Sequence, residues 1–204
     1  KINWKAIYFI LFAEKNTAQD INLEITQVDF LQRIKRLSHT ADIGIHPSYQ
    51  SNKNPEIMQS ERFNLSQVIQ KNINSSRQHY LKMQIPNTYY DLIKIGILHD
   101  YTMGYASQIG FRASTCRPFP FFDLQANQIT FLTLHPFCLM DTTFHAYLKY
   151  TPEQTLAAAK QLLQSVQAVK GVFCTLWHNE SMSGYQEWKG WENIYEELLS
   201  SIYV

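Results

Sequence analysis

His46, Arg77, His79, Asp100, Asp141 and His178 are the residues whose types could do acid, base or metal chemistry, and each stands at the end of a strand candidate. His46 closes Ala41-Asp-Ile-Gly-Ile-His46, Arg77 and His79 fall at the end of 75–80, and Asp100 closes Ile97-Leu-His-Asp100. Asp141 follows 129–140, and His178 with Asn179 follows Val172-Phe-Cys-Thr-Leu-Trp177. An imidazole can ligate a metal or carry a proton near neutral pH, and a carboxyl group can serve as base, acid or ligand. Each residue also has an ordinary reading. A His beside a strand is commonly a hydrogen-bonded structural residue, and Asp100 and Asp141 read equally well as loop or helix caps. As a pair, those two carboxyls would also suit glycosidic acid-base chemistry. Recurrence at strand ends is the informative part, because in parallel α/β folds the carboxyl ends of the strands meet on one face and supply the catalytic groups.

The elements that must position these residues alternate. Ala6-Ile-Tyr-Phe-Ile-Leu-Phe-Ala13 reads as a buried strand. Val28, Leu31, Ile34 and Leu37 line one face of a helix over 26–38, and Ile57, Leu65, Val68 and Ile69 do so over 55–73. Asn87 opens a helix ended by Gly96, and Thr151-Pro152 is a helix start, with Thr as cap and Pro at the first helical position. That helix runs to about Val169, and a last one starts near Gly190. Gly110 to Leu124, where phenylalanines alternate with prolines, reads as irregular. Helices alternating with short, wholly apolar strands predict an α/β fold whose parallel sheet is covered on both faces or closed into a barrel.

Composition narrows the class. The 204 residues are 45% hydrophobic and 17% charged, enough apolar side chain for a substantial core and too little charge for a disordered chain. With 18 Lys plus Arg against 17 Asp plus Glu, no global field would draw the chain to nucleic acid or to anionic lipid. The longest apolar runs are far short of the ~20 residues of a membrane span. Three cysteines without a CxxC spacing imply no disulfide framework, and a reducing, cytoplasmic compartment is the expectation. The chain reads as one domain over 1–204. It begins with Lys1, within a few residues of a buried strand, so an N-terminal truncation is expected, with further polypeptide of the same protein as a partner.

At His46-Pro-Ser-Tyr49, Ser76-Arg-Gln-His-Tyr80 and Leu176-Trp-His178 the sequence resembles the polysaccharide deacetylases, the NodB-homology group of carbohydrate esterase family 4. It is more closely similar to a bacterial branch sharing Gly44-Ile-His-Pro-Ser-Tyr49, Asp100-Tyr-Thr-Met-Gly-Tyr-Ala106, Gly110-Phe-Arg-Ala113 and Leu176-Trp-His-Asn179. The resemblance implies a distorted (β/α) barrel of about seven strands, here lacking its first. It also implies a divalent metal, commonly zinc, and hydrolysis of N-acetyl or O-acyl groups on a carbohydrate.

Residue by residue, the resemblance makes His46 the first metal histidine, His178 the general acid, and Arg77 the Arg that holds the catalytic base. The family's second metal histidine corresponds to Gln50, and His79, where the family has Pro, is the expected substitute. The family's Asp pair would lie before Ala6 and has no counterpart in the chain. Arg112 and Arg117 beside aromatics suit sugar faces and anionic substituents, and Tyr80 and Trp177 are further candidates for sugar contact. A member that binds carbohydrate without turnover, and a glycosidase using Asp100 and Asp141, are the competing functions.

Overall fold

The computed structural model describes residues 5–202, which divide into two compact units, 5–102 with 119–134 and 103–118 with 135–202.

The first unit is built on a six-stranded sheet. β1 (Ile7–Leu11), β2 (Asp42–His46), β3 (Ser75–Ser76) and β4 (His99–Asp100) are joined in turn by helices α1 (Val28–Thr40), α2 (Pro55–Ile69) and α3 (Asn87–Lys94). β5 (Phe119–Asp123) and β6 (Gln128–Leu134) complete it in the order β1-β2-β3-β4-β6-β5. All neighbours are parallel except β5 with β6. The register aligns the carboxyl ends: Leu11 pairs with His46, Ile45 with Ser76, Ser76 with Asp100, and Asp100 with Leu134. Ile45, Leu65, Ile73, Leu92, Ile97 and Leu132 are wholly buried, so sheet and helices close on a dry core that fixes this row. Gly44 serves a close approach, since a Cβ there would meet the Phe9 ring and the Ser75 carbonyl.

In the second unit β7 (Leu139–Met140) pairs in parallel with β8 (Thr175–Leu176). α4 (Pro152–Ala168) and α5 (Trp191–Ser201) pack with Cys138, Leu139 and Phe144 into a core that also holds Ala159, Trp191, Ile194 and Leu198. A π-helical turn, Thr143–Leu148, leads out of β7.

The α/β expectation is met by a mixed fold with a mostly parallel sheet. One element differs from the sequence reading. The stretch expected to be irregular contains β5, an antiparallel edge strand, the position in a sheet that tolerates a proline such as Pro120, with a bulge between Pro120 and Phe122. The apolar run over 129–140 divides into two strands in different sheets, with Pro136 between them. Among the described residues no helix is long and apolar enough to cross a membrane.

The helix start at Thr151 is as predicted: its hydroxyl accepts the Gln154 N–H at 3.3 Å while the Gln154 side chain accepts the Thr151 N–H at 2.9 Å. Thr151→Ala should therefore cost about 1 kcal/mol, read by urea denaturation, with activity unaffected.

Candidate functional site

Two clusters of polar residues gather at strand ends, one in each unit. In the first unit, His46 ends β2 and His79 opens a short 3-10 turn, His79–Leu81, just beyond β3. Their rings lie 4.8 Å apart between centroids. His46 Nδ1 donates to the Arg77 carbonyl, because a carbonyl can only accept, and this leaves the ring lone pair on Nε2. The turn after His46 is fastened by two buried carboxyl groups accepting successive backbone N–H groups. Glu61 takes Ser48 at 3.0 Å and Asp20 takes Tyr49 at 2.7 Å. Burial pushes the Glu61 carboxyl above its ordinary range; the Ser48 bonds oppose this, and the charges of Asp20 and Glu14 add to it.

Arg77 is buried, with Nε on the Tyr101 carbonyl at 3.1 Å and its guanidinium 4.6 Å from the centre of the Phe9 ring that Gly44 accommodates. Asp100 is completely buried: Thr102 donates to Oδ1 through its N–H, and the hydroxyls of Thr102 and Ser76 donate to Oδ2 at 2.7 and 2.9 Å. Thr102 Oγ1 in turn accepts the Gln78 N–H, so the acid clamps the end of β3 to the end of β4. Burial raises its pKa, and its three donors only partly offset this.

Tyr80 is exposed, with its ring 4.7 Å from His79 and 5.6 Å from Tyr49. Its backbone, and that of Leu81, adopt φ of +56° and +51°. Such conformations are costly for bulky residues and persist where the surroundings impose them.

In the second unit, Asp141 follows β7 and His178 follows β8, side by side because Met140 pairs with Leu176. Asp141 is completely buried. Its Oδ2 accepts the His178 N–H at 2.6 Å and the Ser181 hydroxyl, while Oδ1 accepts the Thr142 N–H at 2.6 Å and lies 2.7 Å from His178 Nδ1. An oxygen already accepting an N–H faces the imidazole as acceptor, so His178 donates from Nδ1. The ring itself is 41% exposed. Burial works against the Asp141 charge, but the hydrogen bond and charge of His178, with its N–H and Ser181, outweigh it and lower the pKa.

Arg112 and Arg117 are exposed, the latter bonding the Val169 carbonyl at 2.9 Å. Trp177 packs edge-on against Tyr195 at 5.2 Å.

His79, expected to replace the imidazole missing at Gln50, does stand beside His46. Asp20 escaped the sequence reading. It lies in a polar stretch without periodicity, and its one local signal was Thr17 three residues earlier, whose hydroxyl accepts the Asp20 N–H. The two imidazoles suit zinc as a pair. Among the described residues, however, no three His, Cys, Asp or Glu side chains are placed to hold an ion, and Asp20 is engaged by His79 and Tyr49. The described residues therefore do not by themselves fit a complete metal centre.

A mixed α/β fold with polar groups at the carboxyl ends of parallel strands defines the class. No family model and no curated protein matches the chain. Among solved structures, the chain shares its fold with a candidate polysaccharide deacetylase from Mycobacterium smegmatis, at TM-score 0.57 and 13% identity over 84% of this chain and 60% of that one. The chain thus spans about three fifths of that protein's length. A candidate polysaccharide deacetylase involved in O-antigen biosynthesis, from Bordetella bronchiseptica, aligns at TM-score 0.49 and 14% identity over 95% of this chain and 68% of that one.

Asp100 and Asp141, both buried, should respond oppositely to pH. The lowered pKa of Asp141 gives a stabilisation that is complete above the unfolded value near ~3.9 and is lost as pH falls through the folded value. The raised pKa of Asp100 gives a stabilisation present at low pH and lost as pH rises from the unfolded value through the folded one. Asp100→Asn, whose amide can face two hydroxyls, should change stability at pH 7 by less than about 1 kcal/mol. Asp141→Asn turns an amide N–H against an N–H in either orientation, should cost about 2 kcal/mol or more, and should flatten the acid limb. Denaturation midpoints between pH 3 and 7 test both.

Proposed function

We propose that the chain is a deacetylase-like hydrolase acting on N-acetyl or O-acyl groups of a carbohydrate, within a barrel of about seven strands such as the resemblance implies. The observation that carries the reading is the Asp141–His178 pair, a fully buried carboxyl group orienting a half-exposed imidazole in a deacetylase-like fold. With Nδ1–H bound to Asp141, a protonated His178 presents its transferable proton on Nε2, and the carboxylate stabilises the imidazolium. Hydrolysis breaks the acyl C–N bond, or C–O bond for an O-acyl group, and forms a C–O bond to water; His178 gives its proton to the departing amine or alcohol, and the proton released by the water restores the imidazolium. In this reading a divalent metal, zinc by the chemistry of its donors, would take His46 and His79 as two of its ligands and would polarise the acyl carbonyl, although the described residues do not complete its coordination. Arg77 acts by holding the Tyr101 segment, and Tyr80, Trp177, Arg112 and Arg117 are the proposed sugar contacts.

A second reading, carbohydrate binding without turnover, is favoured by a donor set that, among the described residues, stops at two imidazoles, with exposed Gln50 where the family has its other histidine.

Acetate release from an N-acetylated oligosaccharide at saturating zinc decides between them. His178→Ala should lower turnover by ~100-fold or more with zinc content and saccharide affinity unchanged. Loss of zinc from that variant with the fold intact would show the role of His178 to be wrong. Saccharide binding without acetate release by the unaltered chain would leave the binding reading, and new reducing ends would point to a glycosidase.

A further inference from the structure

We infer that Asp20 is a positioning residue that fixes the ring state of His79 and couples it to the turn following His46. The residue is completely buried in the loop between β1 and α1. That loop is closed on itself: the Thr17 N–H donates to the Asp20 carbonyl at 2.8 Å, the Asp20 N–H donates to Thr17 Oγ1 at 3.0 Å, and the Thr17 hydroxyl lies 3.3 Å from Asp20 Oδ2. Oδ1 is thereby aimed at two other segments. It accepts the Tyr49 N–H at 2.7 Å and lies 2.8 Å from His79 Nδ1.

Because Oδ1 already accepts an N–H, it faces His79 as an acceptor, and the imidazole must donate from Nδ1. The neutral ring then carries its lone pair on Nε2. His46 reaches the same tautomer by a different route, through the Arg77 carbonyl. An acid retained only to close its own loop would be served by Thr17 and Tyr49; the bond to His79 ties this one to side-chain chemistry. Tyr80 and Leu81, both with positive φ, follow directly, so the segment that presents the ring is held in a conformation it would not choose alone.

The consequence for turnover rests on the deacetylase reading; the ring state does not. Long-range ¹⁵N–¹H correlation spectra of the histidine-labelled chain, with His79 assigned from His79→Gln and recorded where the rings are neutral, report the tautomer directly. His79 should be in the Nδ1–H form in the unaltered chain and in Asp20→Asn, whose amide oxygen can take the place of Oδ1. It should move to the Nε2–H form in Asp20→Leu, which has similar volume and no acceptor, while His46 keeps its tautomer throughout. Acetate release should fall 10- to 100-fold in Asp20→Leu and stay within about threefold in Asp20→Asn. A folded Asp20→Leu that retains Nδ1–H would overturn the inference. So would an Nε2–H His79 in the unaltered chain, a measurement that needs no variant to fold. If the unaltered chain releases no acetate, the deacetylase reading fails while the spectra still decide the role of Asp20.

Discussion

An acid taken out of water must be given hydrogen-bond donors, and this single requirement shapes every loop that carries the candidate chemistry. Asp20, Glu61, Asp100 and Asp141 are all buried. Each is satisfied largely by backbone N–H, hydroxyl or imidazole donors. A lysine or arginine ion pair would tolerate a range of geometries, whereas a backbone N–H has one direction. The carboxyl groups therefore set the course of the main chain at Tyr49, Ser48, Thr102 and His178, and the functional side chains follow from that course.

The acids that end β4 and follow β7 show how the same residue type takes opposite character from its neighbours. The Asp100 carboxyl meets two hydroxyls and one amide, all neutral, and burial dominates. The Asp141 carboxyl meets an imidazole capable of charge as well as two amides and a hydroxyl, and its charged form prevails. A closed, neutral clamp suits a structural role, and an ionised acid against a half-exposed ring suits proton transfer.

Much of this is legible in the sequence. The helices were legible because apolar spacing and the Thr151-Pro152 start are local signals, and His46 and His178 because they close apolar stretches. Strand lengths were not. β3, β4, β7 and β8 have two residues each, because the chain leaves the ladder as soon as it must deliver a polar side chain or an N–H to a buried acid. Asp20 was illegible for a related reason: its partners, Tyr49 and His79, are distant in sequence, and nothing local marks an acid whose role is defined by what folds against it. β5 was hidden by its prolines, which are compatible with a strand only at an edge, and whether a strand lies at an edge is a property of the whole sheet.

The proline and bulge in β5 also bear on how the chain behaves among its own copies. Phe122, Ile129 and Phe131 are exposed on the β5–β6 hairpin, beside a strand with no neighbour on its outer side among the described residues. An uninterrupted edge so apolar would be a template for a strand from another molecule. Pro120 removes one N–H from the strand and the bulge throws the next positions out of step, so an incoming strand finds no continuous row of partners. The irregularity that concealed this strand in the sequence also breaks the row of partners that its apolar edge would otherwise offer to another strand.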